Sequence, residues 1–171
     1  MSLKVFVLTD DRAGNSNQAI ALAKLLGFDY EEKRLEYNKL VAIPIFFKSG
    51  FELLNKNSAE HLMQDKPDVI ISAGRRAASV ALALKDRNRN TKIIQILGAQ
   101  KSYKLFDLVI LPEHDRKQFI SYPDNVIFTP LAISCFSSYE LGQESLKWQA
   151  VLAEYKQPYL AILIGGNYKK M

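Results

Sequence analysis

Short apolar runs alternate with Ala- and Leu-rich stretches along this chain. Leu3 to Leu8 is apolar and predicts a first strand. Thr9 to Asn17 is polar and reads as a loop. Asn17 to Leu26 offers Ile20, Leu22, Ala23, Leu25 and Leu26 as a helical packing face, with Asn15 or Ser16 as its cap and Gly27 as its C′ residue. Phe28 to Leu35 alternates weakly and predicts a second strand. Pro67 and Asp68 open a β-branched run, Val69 to Ile71; Ser72-Ala73-Gly74 ends it, and Arg75 to Leu84 suits a helix. Lys92–Leu97, Asp107–Leu111 and Asn125–Thr129 predict further strands, Gly98–Lys104 a loop, and Tyr139–Tyr155 a helix.

Strand, loop and helix in repeated succession predict an α/β fold: a Rossmann-like, mostly parallel sheet with helices on both faces. Two stretches depart from the rhythm. Tyr37 to Phe51 crowds Leu40, Val41, Ile43, Ile45, Phe46 and Phe47 around Pro44, and a helix is expected from Phe51 to Met63. Short helices burying these aromatics are one reading; an apolar face over residues 40–54 for a membrane surface, rimmed by Lys39 and Lys48, is the other. The final run, Tyr159 to Ile164, enters Gly165-Gly166-Asn167 like the first strand of a new α/β domain. Residues 1–156 are therefore expected to form an N-terminal domain, and 157–171 to begin a second. A missing C-terminal domain is the expected partner.

Composition narrows the function classes only slightly. The chain has 171 residues, 48% hydrophobic and 24% charged, which is ordinary for a globular domain. A net charge of +5 favours acidic ligands weakly. No Lys/Arg block or nucleic-acid motif is present, so nucleic acid is not an expected partner. Cys135 is the lone cysteine, which fits a reducing compartment. With only His61 and His114 beside it, a zinc site is not expected. No signal peptide or membrane-length apolar run is visible, so the expected location is the cytoplasm, with possible contact at the inner membrane.

Three predicted strand ends carry polar residues: Thr9-Asp10 with Gly14, Asn15 and Gln18; Ser72-Gly74-Arg75-Arg76; and Glu113-His114-Asp115. Parallel strands would bring all three to one sheet edge, where ligands of open α/β sheets gather. Gly74 would let a ligand approach the backbone, and the following helix would offer free N–H groups beside Arg75 and Arg76 to an anion. The bland alternative stays open: Gly74 permits close helix–sheet packing and the arginines are solvated. Asp10 and His114 are the candidate general bases, although an Asp here also suits a turn cap. Glu113 and Asp115 alone are too few for a metal site. The Gly-x-Gly-x-x-Gly fingerprint, the P-loop and the Gly-x-Ser-x-Gly elbow are all absent.

Leu8-Thr9-Asp10 with Gly14 and Gln18, Pro67-Asp68 through Ser72-Ala73-Gly74-Arg75-Arg76, Phe106-Asp107-Leu108-Val109 into Pro112-Glu113-His114-Asp115, and Asn125-Val126-Ile127 resemble one family. It is the mitochondrial-fission elongated-mitochondria family, whose bacterial members are often labelled nucleoside-diphosphate-sugar epimerases. Two departures stand out: Asp11 where a glycine is expected, and no glycine near Pro130-Leu131-Ala132. The epimerase label fits poorly without the dinucleotide fingerprint. The family is similar to GT-B glycosyltransferases, in which two Rossmann-like domains face a cleft. The resemblance implies that this chain is the N-terminal, acceptor-side half of a GT-B-like protein. The full-length protein would use a nucleotide sugar as donor; this half would need no cofactor of its own and would be inactive alone. Asp10 or His114 would take the acceptor proton; Thr9, Gly14, Asn15, Gln18, Ser72, Gly74, Arg75, Arg76, Glu113 and Asp115 would bind ligand. The family's plant members, which recruit a fission protein at the mitochondrial surface, imply the rival: a non-catalytic adaptor. A nucleotide sensor without chemistry is a third reading.

Overall fold

Every residue of Val5–Thr9 is buried, as expected of a strand covered on both faces. In the computed structural model, which describes residues 3–39, 50–99, 103–162 and 164, this strand is β1. It is followed by α1 (Ala13–Leu25), β2 (Tyr30–Arg34), α2 (Lys56–Met63), β3 (Val69–Ala73), α3 (Gly74–Arg87), β4 (Lys92–Ile96), β5 (Leu108–Pro112), β6 (Val126–Thr129) and α4 (Ser138–Leu152). Short 3₁₀ turns cover Gly50–Leu53, Tyr103–Leu105 and Glu113–Gln118. The chain divides into two compact units, Met1–Cys135, which holds the sheet, and Phe136–Met171, which holds α4.

The six strands are all parallel, in the order β2-β1-β3-β4-β5-β6. Alternation along each strand sorts the core into two layers. Val5, Val7, Ile71, Ala73 and Ile96 face α1, while Phe6, Leu8, Ile70, Ile93 and Val109 share the other face with α2 and α3. Ala77, Ala78 and Ala81 are buried and small, which lets α3 lie close to the sheet. The charged edge strand β2 is tied to α2's trailing loop by Lys33, which donates to Asp65 at 3.0 Å. After β1 the chain steps outward to β2, and β3 then returns to β1's other side. The connections diverge there, so the topological switch point lies between the carboxyl ends of β1 and β3.

Element boundaries shift where side chains do something other than their local preference suggests. α1 starts at Ala13 because Ser16 is not a cap: its buried hydroxyl donates to the Asp10 carbonyl at 3.1 Å and accepts from the Asp10 N–H at 2.9 Å. At its other end Gly27, at φ +67°, donates to the Lys24 carbonyl while the Phe28 N–H reaches Ala23, the expected Schellman closure. The helix expected over Phe51–Met63 is interrupted. Asn55 caps α2 by accepting from the Ser58 N–H, and Gly50–Leu53 forms a separate turn. Residues 40–49 lie outside the described residues. The 50–54 end of the apolar stretch belongs to the core, with Leu53 and Leu54 buried and Phe51 packed against it. Residues 159–162, expected to be a strand, have no regular structure, since a strand needs a neighbour to pair its backbone. Gly165-Gly166-Asn167 lies outside the described residues.

The amino end of the sheet is held by one carboxylate. Asp107 accepts from the Lys85 ammonium of α3, from Lys92 at 3.0 Å and from the Ile93 N–H at 2.9 Å. Burial pushes its pKa up, but these donors outweigh burial and hold it below the ordinary value. Its stabilisation is therefore present above the unfolded-state pKa and lost as pH falls through the folded one. Asp107→Ala should cost about 1–3 kcal/mol in a denaturant melt at neutral pH. The gap from wild type should close on acidification below about pH 4; a gap that is independent of pH would place the effect in packing instead.

Candidate functional site

Ser72 and Gln95 are register partners on β3 and β4, both fully buried. The Ser72 hydroxyl donates to Gln95 Oε1 at 2.6 Å, and Gln95 Nε2 donates to the carbonyls of Gly74 (3.2 Å), Ile96 (3.1 Å) and Leu97 (2.6 Å). A buried amide is tolerable only when its hydrogen bonds are made, and here both ends are satisfied. The amide thereby fixes the turn into α3 and the end of β4. Leu97 sits in the left-handed region at φ 57°, unusual for a branched side chain, with its own N–H bonded to Ile110 at 3.0 Å. Gly98 is at φ +67°, and a Cβ there would lie 2.4 Å from the Arg75 nitrogen. A Cβ on Gly74, at φ +80°, would meet Asn15 Nδ2 at 2.3 Å. Glycine is thus required at position 98 for conformation and for space, and at position 74 for its positive φ.

These contacts bring the amino ends of α1 and α3 together across the switch point. Neither helix has an acidic residue in its first turn, and neither has a side-chain cap among the described residues. Each leaves N–H groups and the positive end of its dipole facing the carboxyl edge. Arg75 is exposed, with no side-chain partner among the described residues. Arg76 turns the other way. It pairs with Asp11 at 3.2 Å and lies over the Tyr37 ring, 5.4 Å from its centroid. Asp10 accepts from the Arg12 N–H at 2.9 Å. Burial pushes its carboxyl above the ordinary value against that hydrogen bond, and the Asp11 charge adds to the push. The Tyr37 hydroxyl is buried without a hydrogen-bond partner among the described residues. Burial first, then the charge of Asp10, drives its pKa far upward, so it remains a phenol.

The remaining candidates divide. Thr9 donates to Glu32 at 2.9 Å and Ser72 to Gln95, so both hydroxyls are committed inside the fold. Gly14 and Gln18 stand on the first turns of α1, where Gln18 Nε2 donates to the Gly14 carbonyl at 3.2 Å. At the end of β5, Glu113 is held by Arg116 and Asp115 accepts from Gln118 at 2.8 Å. The His114 side chain is 82% exposed, with Nε2 3.8 Å from Asp115. β3 and β4 lie between β1 and β5. Three strand spacings of about 4.8 Å put Asp10 and His114 roughly 14 Å apart, too far to share one proton. His114 and Gln18 instead line a cavity of about 340 Å³ above β4, β5 and β6. Among the described residues no cluster of three or more His, Cys, Asp or Glu could hold a metal, and no helix is long and apolar enough to cross a membrane.

A family model described as mitochondrial fission ELM1 matches residues 13–171. The chain belongs to that family. It is also similar to an uncharacterized protein, RP120, of Rickettsia prowazekii (strain Madrid E), at 32% identity over 196 aligned residues. That alignment takes in 98% of this chain and 55% of the relative, so the chain spans about half the relative's length. No solved structure matches. The ELM1 family match covers the α3 turn, Gln95 and the Glu113-His114-Asp115 cluster, and begins just after Asp10.

Three site residues escaped the sequence reading. Gln95 sits inside an apolar strand, and a lone amide in a buried run is itself a signal that buried partners exist. Gly98, following Leu97, looked like an ordinary loop residue. Tyr37 was grouped with the aromatics that follow it. Gln95→Ala should cost roughly 2–4 kcal/mol in a denaturant melt, because it orphans the Ser72 hydroxyl and the carbonyls of Gly74 and Leu97; a cost well under 1 kcal/mol would show that the clamp is dispensable. Asp10→Asn, which keeps the acceptor for Arg12, should be at least as stable as wild type at pH 7. A carboxyl with a raised pKa opposes folding when ionised, so the variant's advantage should shrink as pH falls and wild-type Asp10 protonates. A deficit at pH 7 that vanishes in acid would mean that Arg76 and the helix ends stabilise the charge after all.

Proposed function

We propose that this chain is the acceptor-side domain of a GT-B-like glycosyltransferase that uses a nucleotide sugar. The observation that carries the reading is the pair of uncapped, acid-free helix N-termini at the switch point, with exposed Arg75 beside them and Asp10 between. Two positive helix ends and a free guanidinium suit an anionic group of donor or acceptor. Asp10, its pKa raised by burial, suits a general base better than an ordinary surface carboxylate. In the reaction, the acceptor hydroxyl loses its proton to Asp10 and its oxygen bonds to the anomeric carbon. The bond from that carbon to the diphosphate breaks, and nucleoside diphosphate leaves. Arg76 is a positioning residue: it holds Asp11 and covers Tyr37. His114 would act on the far part of the acceptor rather than on the transferred proton. Donor binding would draw on a second domain, and the relative's greater length leaves room for one.

The test is a calorimetric titration of inorganic pyrophosphate into this chain, and of nucleotide sugars into a chain of the relative's length. Binding should weaken about 10- to 150-fold in Arg75→Ala, the loss of one charge-assisted hydrogen bond. Asp10→Asn should bind at least as tightly as wild type, since it removes a negative charge from the anion site. Absence of any anion binding, together with vesicle binding that survives Arg75→Ala, would favour the membrane-surface adaptor instead. Nucleotide binding without transfer in a chain of the relative's length would favour a sensor.

A further inference from the structure

The cavity of about 340 Å³ at the ends of β4, β5 and β6 has a composition unlike the switch point. Its walls are Ile96, Leu97, Ile110, Leu111, Leu131 and the prolines at 112 and 130. Its polar members are Gln18, Thr129 and His114, and His114 is the one ionisable side chain in the lining. Of the charges next to His114 in sequence, Glu113 pairs with Arg116, and Asp115 accepts from Gln118 with its carboxylate 3.8 Å from His114 Nε2; none of the three belongs to the lining. Gln18 spends its amide nitrogen on Gly14 and leaves its amide oxygen without a partner among the described residues. The apolar wall includes a strained backbone. Leu97 is held at φ 57° by hydrogen bonds to Ile110 and Gln95, so its placement is imposed by the fold rather than by its own preference. Leu131, 78% exposed, leaves apolar surface open to solvent at the same place. A concave, mostly apolar cavity of this size with a few neutral polar groups is the usual form of a small-molecule site.

We propose that this cavity binds the apolar portion of a small neutral alcohol, an alkyl or aryl group carrying hydroxyls that reach Gln18 and His114. A charged head group does not fit, since no fixed charge lines the walls to receive it. The ligand's role as acceptor rests on the transferase reading; its binding here does not. The cavity lies toward β5 and β6, while the switch point lies between β1 and β3, so a ligand could extend along the sheet edge from one toward the other.

The experiment is a calorimetric titration of hexyl, heptyl and octyl glucosides, kept below micelle formation, into the complete chain. The dissociation constant should fall about three- to fourfold for each added methylene, the worth of burying one such group. Ala132→Trp, which fills the cavity from an exposed position, and Leu131→Asp, which places a charge at its mouth, should each abolish that dependence while leaving the melting temperature close to wild type. Arg75→Ala should leave it unchanged. No binding, or a chain-length dependence that survives both cavity variants, would overturn the proposal. If the glucosides fail while a nucleotide sugar still binds in an Arg75-dependent way, the cavity assignment falls and the transferase reading stands. If the glucosides bind as expected and nucleotide sugars do not, the cavity assignment stands without it.

Discussion

The amide of Gln95 lies between β3 and β4 with no solvent contact, and four groups converge on it: the Ser72 hydroxyl and the carbonyls of Gly74, Ile96 and Leu97. Each of these groups would be costly to leave unpaired at such depth. Because one side chain serves them all, the turn into α3 and the end of β4 cannot move independently. Gly98 follows from the same constraint: once the two turns are drawn together, a Cβ there would strike the Gly74–Arg75 backbone. The left-handed Leu97 is a further consequence, a local cost offset by the hydrogen bonds on both sides of it.

That rigidity matters because of what it aims. α3 begins directly at the clamped turn, and its N-terminus meets that of α1 through the close packing of Gly74 against Asn15. A helix end is a useful anion site only when its N–H groups are fixed in direction and not already occupied. Asp11 draws Arg76 toward the β1 loop and over Tyr37, which leaves Arg75 alone facing solvent. The two adjacent arginines thus have different roles: one shapes the site and the other is free to bind. The apolar cavity around Leu97 uses the opposite side of the same clamp, so one buried amide supports both regions of the sheet edge.

Much of the fold was legible because the apolar runs are short, β-branched and separated by helix-compatible stretches. All six strands, α1, α3 and α4 fall where that pattern puts them, within a few residues, and Gly27 closes α1 as its position suggests. The misreadings share a cause: a side chain used at long range rather than locally. Ser16 binds the Asp10 backbone instead of capping, and Asn55, whose amide also reaches Glu36, caps α2 inside the expected Phe51–Met63 helix. The site was half legible. The strand-end residues could be named and assigned to one edge, but strand order is not written in local pattern. Without it, Asp10 and Gly74 could not be recognised as neighbours, nor His114 as three strands away. Thr9 and Ser72 looked like ligand donors because nothing near them in sequence announces Glu32 or Gln95 as partners.

The central claim is that the clamped edge between β1 and β3 is where an anionic ligand binds. Amide chemical-shift mapping of the isotope-labelled chain during titration with inorganic pyrophosphate tests it most directly. The account predicts saturable shifts concentrated at the N–H groups of Ala13 and Gly14 and of Gly74 to Ala77, where the two helices begin. Shifts confined instead to the polar groove between β2 and α2, lined by Glu32, Arg34, Asn57 and His61, would contradict it.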